Sequence, residues 1–261
     1  MPTQLSIVIP ALNEAARLPA TLAKLGRYCA ARPERFEIIL VDDGSTDNTA
    51  ELLRSPPVAA ANLTWRTLRN PGNRGKGFSV RHGMLDAEGD RLLFTDADLS
   101  APITELPKLE AALNAGADIA IGSRRERKLI TAHQSVFREN AGRVFNAIVR
   151  ATLGLPYVDT QCGFKLFTRA SALAIFPLQR IERWGFDPEL LFIARRRGYK
   201  VKEVPVEWAH ADGAKIRMVA DSGRMFAEVI QIRGNAWRGC YPRTPRLAPA
   251  TGLPGKAGVG D

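Results

Sequence analysis

Apolar positions along this chain follow two alternating rhythms. Short continuous runs at Leu5 to Pro10, Phe36 to Val41, Leu63 to Leu68, Arg91 to Thr95 and Asp118 to Gly122 read as buried strands. Between them, apolar residues recur three or four apart, first at Leu18, Leu22 and Leu25, with Asn13 as the expected helix cap. A helix is expected from Thr46 to Arg54, and another from the glycine-rich loop Asn70 to Gly77 onward to Ala87. Strands and helices alternating at this spacing are the pattern of βαβ units, so the expected fold is α/β: a Rossmann-like, mostly parallel sheet flanked by helices. The second half is less regular, with expected helices from Phe137 to Leu153, Pro188 to Arg197 and Met218 to Trp237, and strands at Phe164 to Phe167 and Lys200 to Trp208. On the last helix Phe226, Val229, Ile230 and Arg233 fall on neighbouring turns. From Gly239, prolines 242, 245, 249 and 254 among glycines predict a disordered tail over 239–261.

Four polar clusters follow the carboxyl ends of predicted strands, where open α/β sheets bind ligands. They are Pro10 to Glu14, Asp42 to Ser45, Asn70 to Gly77 and Asp96 to Ser100. In Leu92-Leu93-Phe94-Thr95-Asp96-Ala97-Asp98 an apolar run ends in two carboxylates one residue apart, which in extended chain point to one side. Such a pair suits a hard divalent cation; the plainer reading is an acidic turn in which Asp98 opens the next helix. Asn73-Arg74-Gly75-Lys76-Gly77 offers backbone amides and one cation to a phosphate, or is a plain glycine-rich turn. It is neither a Walker A loop nor a dinucleotide fingerprint.

Composition narrows the classes. At 261 residues, 45% apolar and 25% charged, the chain is long enough for one large α/β domain and too apolar for wholesale disorder. No apolar run approaches the roughly 20 residues of a membrane-spanning helix, and the start lacks the pattern of a signal peptide, so a cytoplasmic location is expected. Cys29, Cys162 and Cys240 are too scattered for a disulfide framework or metal-ligand spacing and read as reduced thiols. The net charge is +10, and residues 195–246 hold 12 Lys/Arg against 5 Asp/Glu. That excess fits an anionic partner such as a phosphorylated substrate or a membrane surface. With no recognised RNA or DNA motif and no interleaved aromatics, nucleic acid is not the expected partner.

Together, Val8-Ile9-Pro10-Ala11-Leu12-Asn13-Glu14, Val41-Asp42-Asp43-Gly44-Ser45 and Asp96-Ala97-Asp98 resemble glycosyltransferase family 2, whose members use nucleotide sugars on a GT-A fold. The resemblance runs from Leu5 to about Arg233. Within the family the chain is most similar to dolichyl-phosphate β-glucosyltransferases, through Asn73 to Gly77, Asp159 to Phe167 and Glu182 to Leu191. The resemblance implies that Pro10, Ala11, Asn13, Glu14, Asp42, Asp43 and Ala97 hold the nucleotide-sugar donor, with Lys76 nearby. Asp96 and Asp98 would bind Mg²⁺ or Mn²⁺ on the donor diphosphate. Arg124 matches a basic position near the diphosphate or the acceptor phosphate, or is one member of the solvated basic run Arg124 to Lys128. Lys215 matches a lysine that meets the lipid phosphate, and Arg138 is a second acceptor candidate. Asp187 matches an acidic position that serves as base in members with hydroxyl acceptors.

A phosphate monoester is mostly dianionic near neutral pH, with a second pKa of about 6, so a lipid phosphate acceptor needs cationic positioning rather than a strong base. The expected activity is inverting transfer of glucose from UDP-glucose to a dolichyl- or undecaprenyl-type phosphate, with GDP-mannose as the rival donor and a soluble acceptor as the rival acceptor. Residues 1–238 are expected to form a single domain, with 1–122 as its donor half and 123–238 as its acceptor half. Ser100 and Ala214 depart from the related patterns, at a metal-binding glutamine and at a serine before the acceptor lysine. Reaching the lipid would fall to the basic helix Met218 to Trp237, lying peripherally on the cytoplasmic face of a membrane, unless that helix simply packs on the core.

Overall fold

The computed structural model describes residues 3–53, 57–124, 126–132, 136–209 and 218–243. Strand β1 (Leu5–Ala11) leads through α1 (Leu18–Ala30) to β2 (Phe36–Asp42), and a 3-10 turn (Asn48–Leu53) precedes β3 (Leu63–Arg69). Helix α2 (Lys76–Asp86), β4 (Arg91–Thr95), α3 (Leu106–Asn114) and β5 (Ile119–Ser123) follow. The rest comprises β6 (Ile130–Ala132), α4 (Val136–Leu153), β7 (Phe164–Thr168), α5 (Arg169–Ile175), α6 (Phe186–Arg196), β8 (Val201–Pro205), β9 (Trp208–Ala209) and α7 (Met218–Trp237). Seven strands form one sheet in the order β3-β2-β1-β4-β7-β5-β8, and β6 pairs with β9 in a separate ribbon.

Strands β1, β2, β4 and β5 are buried along nearly their whole length, and their apolar runs divide between two core layers on opposite faces of the sheet, whereas β8 at the sheet's edge is only partly covered. Alternation sorts them: Ile7, Ile9, Ile38 and Leu40 enter one layer, and Val8, Ile39 and Val41 the other. The parallel pairs place Ala11 beside Asp42 and Asp42 beside Arg69, so the polar segments after β1, β2 and β3 emerge at one edge.

Strand β7 is the exception. It runs antiparallel between β4 and β5, with Phe94 opposite Lys165 and Thr95 opposite Phe164. Reversal puts the start of β7 at the carboxyl end of β4, so residues 159–163, which precede it, arrive beside Asp96. A single sheet therefore runs across both halves of the chain.

Several local expectations are corrected. Asn13 does not cap α1; it sits at φ 52° and its side chain accepts a bond from Thr46 N–H at 2.8 Å, while α1 begins at Leu18 behind Arg17. The tertiary bond outcompetes the cap. Where a helix is expected from Thr46, the described residues form a 3-10 turn over Asn48–Leu53, and Arg54 lies outside them. The stretch Lys200 to Trp208 divides into β8 and β9, and helices α3 and α5 were not anticipated. All three cysteines are free thiols, as expected.

Candidate active site

The site gathers at the carboxyl ends of β1, β2 and β4, the amino end of β7, and the amino ends of α2 and α6. Asp43 leaves β2 and turns its carboxylate onto the glycine-rich loop. Asn70 Nδ2 and Arg74 N–H donate to its Oδ1 at 2.8 and 3.0 Å, and Gly75 N–H to its Oδ2 at 2.8 Å. Three donors on one buried carboxylate fix the loop that delivers Lys76. Gly75 holds φ 112°, and a Cβ there would collide with Glu182 O, so only glycine fits. From the opposite side Phe78 N–H donates to Glu182 O at 2.9 Å, and Gln179 Nε2 to Gly77 O at 2.8 Å.

Neighbouring Asp42 is fully buried. Ser45 N–H donates to its Oδ1 at 2.9 Å, whereas Oδ2 has no hydrogen-bond partner and lies 3.3 Å from Arg69 Nε. Pro10 and Ala11 are buried on β1, and Ala11 O accepts from Asp43 N–H at 2.8 Å. Glu14 N–H donates to Thr49 Oγ1 at 2.8 Å, and Asn13 N–H to Ser45 Oγ at 2.9 Å, which ties the turn after β1 to the turn after β2.

Lys76 Nζ lies 2.5 Å from Asp96 Oδ1 and within 5.8 Å of the ring centres of Trp184 and Phe186. Burial alone would lower its pKa, but the carboxylates of Asp96, Asp187 and Asp98 outweigh that and raise it, so the ammonium stays charged. Asp96 packs against Gly163, where any Cβ would overlap its carboxylate. At Asp98, Ser100 N–H donates to Oδ1 at 2.9 Å, and Arg17 Nη1 stands 3.8 Å from Oδ2. Ala97 O accepts from Thr21 Oγ1 at 2.7 Å, and Leu99 adopts φ 48°, so the turn is anchored to α1 as it leaves the strand.

Two buried ionic clusters flank this centre, and sequence reasoning missed most of their members. Lys165 on β7 is completely buried; its Nζ donates to Cys162 O at 2.7 Å and to Asp187 Oδ1, and lies 5.3 Å from the Phe94 ring centre. Burial pushes the Asp187 carboxyl upward, while Lys165 and Lys76 pull it back. Its local signal was a lone lysine inside Phe164-Lys165-Leu166-Phe167, because a buried charge requires a partner. Arg124 Nε and Nη2 meet the two carboxylate oxygens of Asp159 at 2.7 and 2.8 Å, over the Trp208 ring at 5.6 Å. Burial opposes ionisation of Asp159, yet Arg124 brings its pKa down to about 2. Glu203 Oε1 in turn accepts from Asp159 N–H at 2.7 Å and from Ser123 Oγ at 2.7 Å. No local pattern announces that link, which joins residues 35 and 44 positions apart.

Of the anticipated residues, Lys76, Asp96, Asp98 and Asp187 stand together, and Arg124 lies near enough for Asp96 to raise its pKa. Lys215 lies outside the described residues, as does the side chain of Arg138, whose backbone belongs to the start of α4. Among the described residues no group of three or more His, Cys, Asp or Glu side chains is placed to hold a metal. Asp96 and Asp98 by themselves are a hard, all-oxygen pair, with side chains 32% and 20% exposed, and this donor set fits Mg²⁺ or Mn²⁺ completed by phosphate oxygens and water.

Comparison with known proteins points one way. The profile described as "Glycosyl transferase family 2" matches residues 6–176. A dolichyl-phosphate beta-glucosyltransferase of Drosophila melanogaster is 40% identical over 252 residues, 90% of this chain and 77% of that protein. The Homo sapiens protein of the same name is 36% identical over 251 residues, covering 90% and 78%. Among solved structures, glucosyl-3-phosphoglycerate synthase from Mycobacterium tuberculosis, in complex with Mn²⁺, UDP and glucosyl-3-phosphoglycerate, aligns with a TM-score of 0.66. It is 20% identical and covers 89% of this chain and 80% of that one, a likeness of fold.

Proposed function

The chain belongs to glycosyltransferase family 2 and is an enzyme that transfers glucose on a GT-A fold; from that premise we propose that it moves glucose, with inversion, from UDP-glucose to a polyprenyl phosphate. The observation that carries the reading is the meeting of Lys76 with Asp96 at the carboxyl end of β4, 2.5 Å apart, beside Asp98. That arrangement sets one fixed cation and two carboxylates where a sugar nucleotide's diphosphate would lie. Mg²⁺ or Mn²⁺ held by Asp96 and Asp98 would supply charge neutralisation to the departing UDP. Lys76 adds a charged donor from the protein, at the amino end of α2. Asp42 Oδ2, buried and without a hydrogen-bond partner, suits an N–H of the nucleobase, and Pro10, Ala11, Asn13, Glu14 and Ala97 are assigned to the surrounding wall. Asp43 acts one step back, by holding the loop of Lys76.

The acceptor chemistry follows from what Asp187 is doing. Its carboxylate is buried against Lys165, so it positions charge instead of collecting a proton from a hydroxyl. A lipid phosphate dianion needs no such base. Arg124, which keeps Nη1 beyond its two bonds to Asp159, together with Arg138 and Lys215, is assigned to the acceptor phosphate. The products would be UDP and a β-linked polyprenyl-phosphate glucose, formed at the cytoplasmic face of a membrane. Among the described residues no helix is long and apolar enough to cross a bilayer.

The test is a matrix of donors and acceptors, each with Mg²⁺ or Mn²⁺. UDP-glucose, UDP-galactose, UDP-N-acetylglucosamine and GDP-mannose are each offered a polyprenyl phosphate and, separately, 3-phosphoglycerate. Label should enter the organic phase from UDP-glucose alone. Label from GDP-mannose would overturn the sugar assignment, and transfer only to the soluble acceptor would overturn the lipid.

A further inference from the structure

The outer faces of α4 and α7 are apolar where a water-facing helix should be polar. Val144 is 62% exposed, Ile148 40%, Phe226 46%, Ile230 50% and Trp237 81%. Among the described residues the other large apolar side chains left in solvent are Leu85 and Leu173, so these two helices hold most of them. Helical spacing sets Val144 and Ile148 in one stripe, and Phe226, Ile230 and Trp237 in another. Helices α4 and α7 pack on each other and on α6, and Val149, Leu153, Val229 and Ile232 on their inner faces enter one core layer. The two outer stripes therefore look out from the same side of the molecule.

The same two segments carry arginines. Arg143, Arg224, Arg233 and Arg238 belong to these segments, and the Arg233 guanidinium lies 5.9 Å from the Trp237 ring centre. Among their described side chains the only carboxylate is Glu228, which is engaged by Gly185 N–H at 2.6 Å. Exposed apolar side chains on helices that also carry arginines, with a tryptophan at one end, are matched to the boundary between lipid headgroups and acyl chains. A second copy of the chain would bring the same arginines against these, which opposes self-association through this face.

Topology joins this face to the acceptor end. The parallel ribbon pairs Ile130 with Trp208 and Ala132 with Ala209, so the chain leaves β6 toward α4 and β9 toward α7 at the same end. Arg138 belongs to the first turn of α4, and Lys215 precedes α7 by three residues. The backbone of Arg138 thus stands where α4 begins, while Lys215 lies outside the described residues.

We propose that the outer face of α4 and α7 is an interfacial docking surface for an anionic phospholipid bilayer, seating the enzyme so that its acceptor end meets the membrane. The proposal rests on the reading of the acceptor as a lipid phosphate. It is tested by flotation with vesicles of phosphatidylcholine containing about a third phosphatidylglycerol, and with phosphatidylcholine alone. Wild-type protein should float with the anionic vesicles at low salt and be released by high salt. The triple variant F226S/I230S/W237S should bind at least roughly tenfold more weakly, as should the charge variant R224E/R238E, which leaves the apolar stripe intact. Leu173→Ser should change nothing. Both variants should still glucosylate a short, water-soluble polyprenyl phosphate, which reports folding and the active site together.

Wild-type protein that ignores anionic vesicles, or variants that float as well as wild type, would overturn the docking surface. So would a concentration-dependent dimer, seen by sedimentation, that the triple variant abolishes without changing flotation. Should wild type fail to glucosylate the soluble polyprenyl phosphate while the flotation results hold, the acceptor reading falls and the docking surface stands.

Discussion

At the donor end Asp43 is held by Asn70, Arg74 and Gly75, and Asn13 by Ser45 and Thr46, so neighbouring turns fasten one another through backbone N–H groups. At the acceptor end Arg124 depends on Asp159 and Glu203, and Asp187 on Lys165, in buried ionic contacts between distant strands and helices. The first end is a set of loops fixed locally. The second is fixed by the packing of the domain itself. A change at the donor end should alter ligand binding with modest effect on stability, whereas a change at the acceptor end should reach the whole fold.

The largest effect is expected where both ends converge. Asp98→Ala should lower transfer by roughly 10³-fold, corresponding to several kcal/mol of charge stabilisation, with little change in urea stability. Chelation should abolish wild-type turnover, and added Mn²⁺ or Mg²⁺ should restore it. Full activity of the variant under the same assay would remove Asp98 from the site.

Next comes the buried pair. Lys165→Met leaves the Asp187 carboxylate buried without its cation and should cost about 3–5 kcal/mol in denaturant unfolding. Lys165→Met combined with Asp187→Leu should recover much of that loss, because removing both charges is less costly than stranding one. A single variant as stable as wild type would erase the contrast between the two ends.

Acid titration sharpens the comparison at Asp159. An unfolded aspartate ionises near ~3.9, whereas Arg124 brings this one to about 2 in the fold. The tie therefore contributes fully above pH ~4, and its roughly 2–3 kcal/mol are lost as pH falls from there through about 2. Asp159→Asn should be less stable at neutral pH and should lack that increment of acid sensitivity, as unfolding curves at several pH values will report.

The smallest of these effects belongs to the donor loop. Asp43→Asn keeps one acceptor oxygen and loses charge, weakening bonds worth roughly 1.5–3 kcal/mol. The KM for UDP-glucose should rise about ten- to a hundredfold, with kcat and unfolding midpoint changed far less. A collapse in stability instead would place Asp43 with the structural residues of the other end.

The same contrast explains what the sequence revealed. The strands of the first half are continuous apolar runs, and their polar clusters sit within a few residues of each strand end, so Asp42, Asp96, Asp98 and Lys76 were legible. Lys165 was half legible, as a charge inside an apolar strand. Its partner Asp187 is 22 residues away and belongs to another element. The antiparallel course of β7 leaves no mark in periodicity, because a strand's alternation is the same in either direction. Asn13 was misread because its local pattern permits a helix cap, and the bond to Thr46 that prevails crosses 33 residues.

The most direct test of the central claim is analysis of the product. Wild-type protein, UDP-glucose, a polyprenyl phosphate and Mn²⁺ are incubated beside Asp98→Ala, released UDP is counted, and the anomeric configuration of the lipid-soluble sugar is read by nuclear magnetic resonance. The account predicts one UDP per β-linked glucosyl lipid phosphate and almost none from the variant. An α-linked product, UDP released with glucose left in the aqueous phase, or an undiminished variant would contradict it.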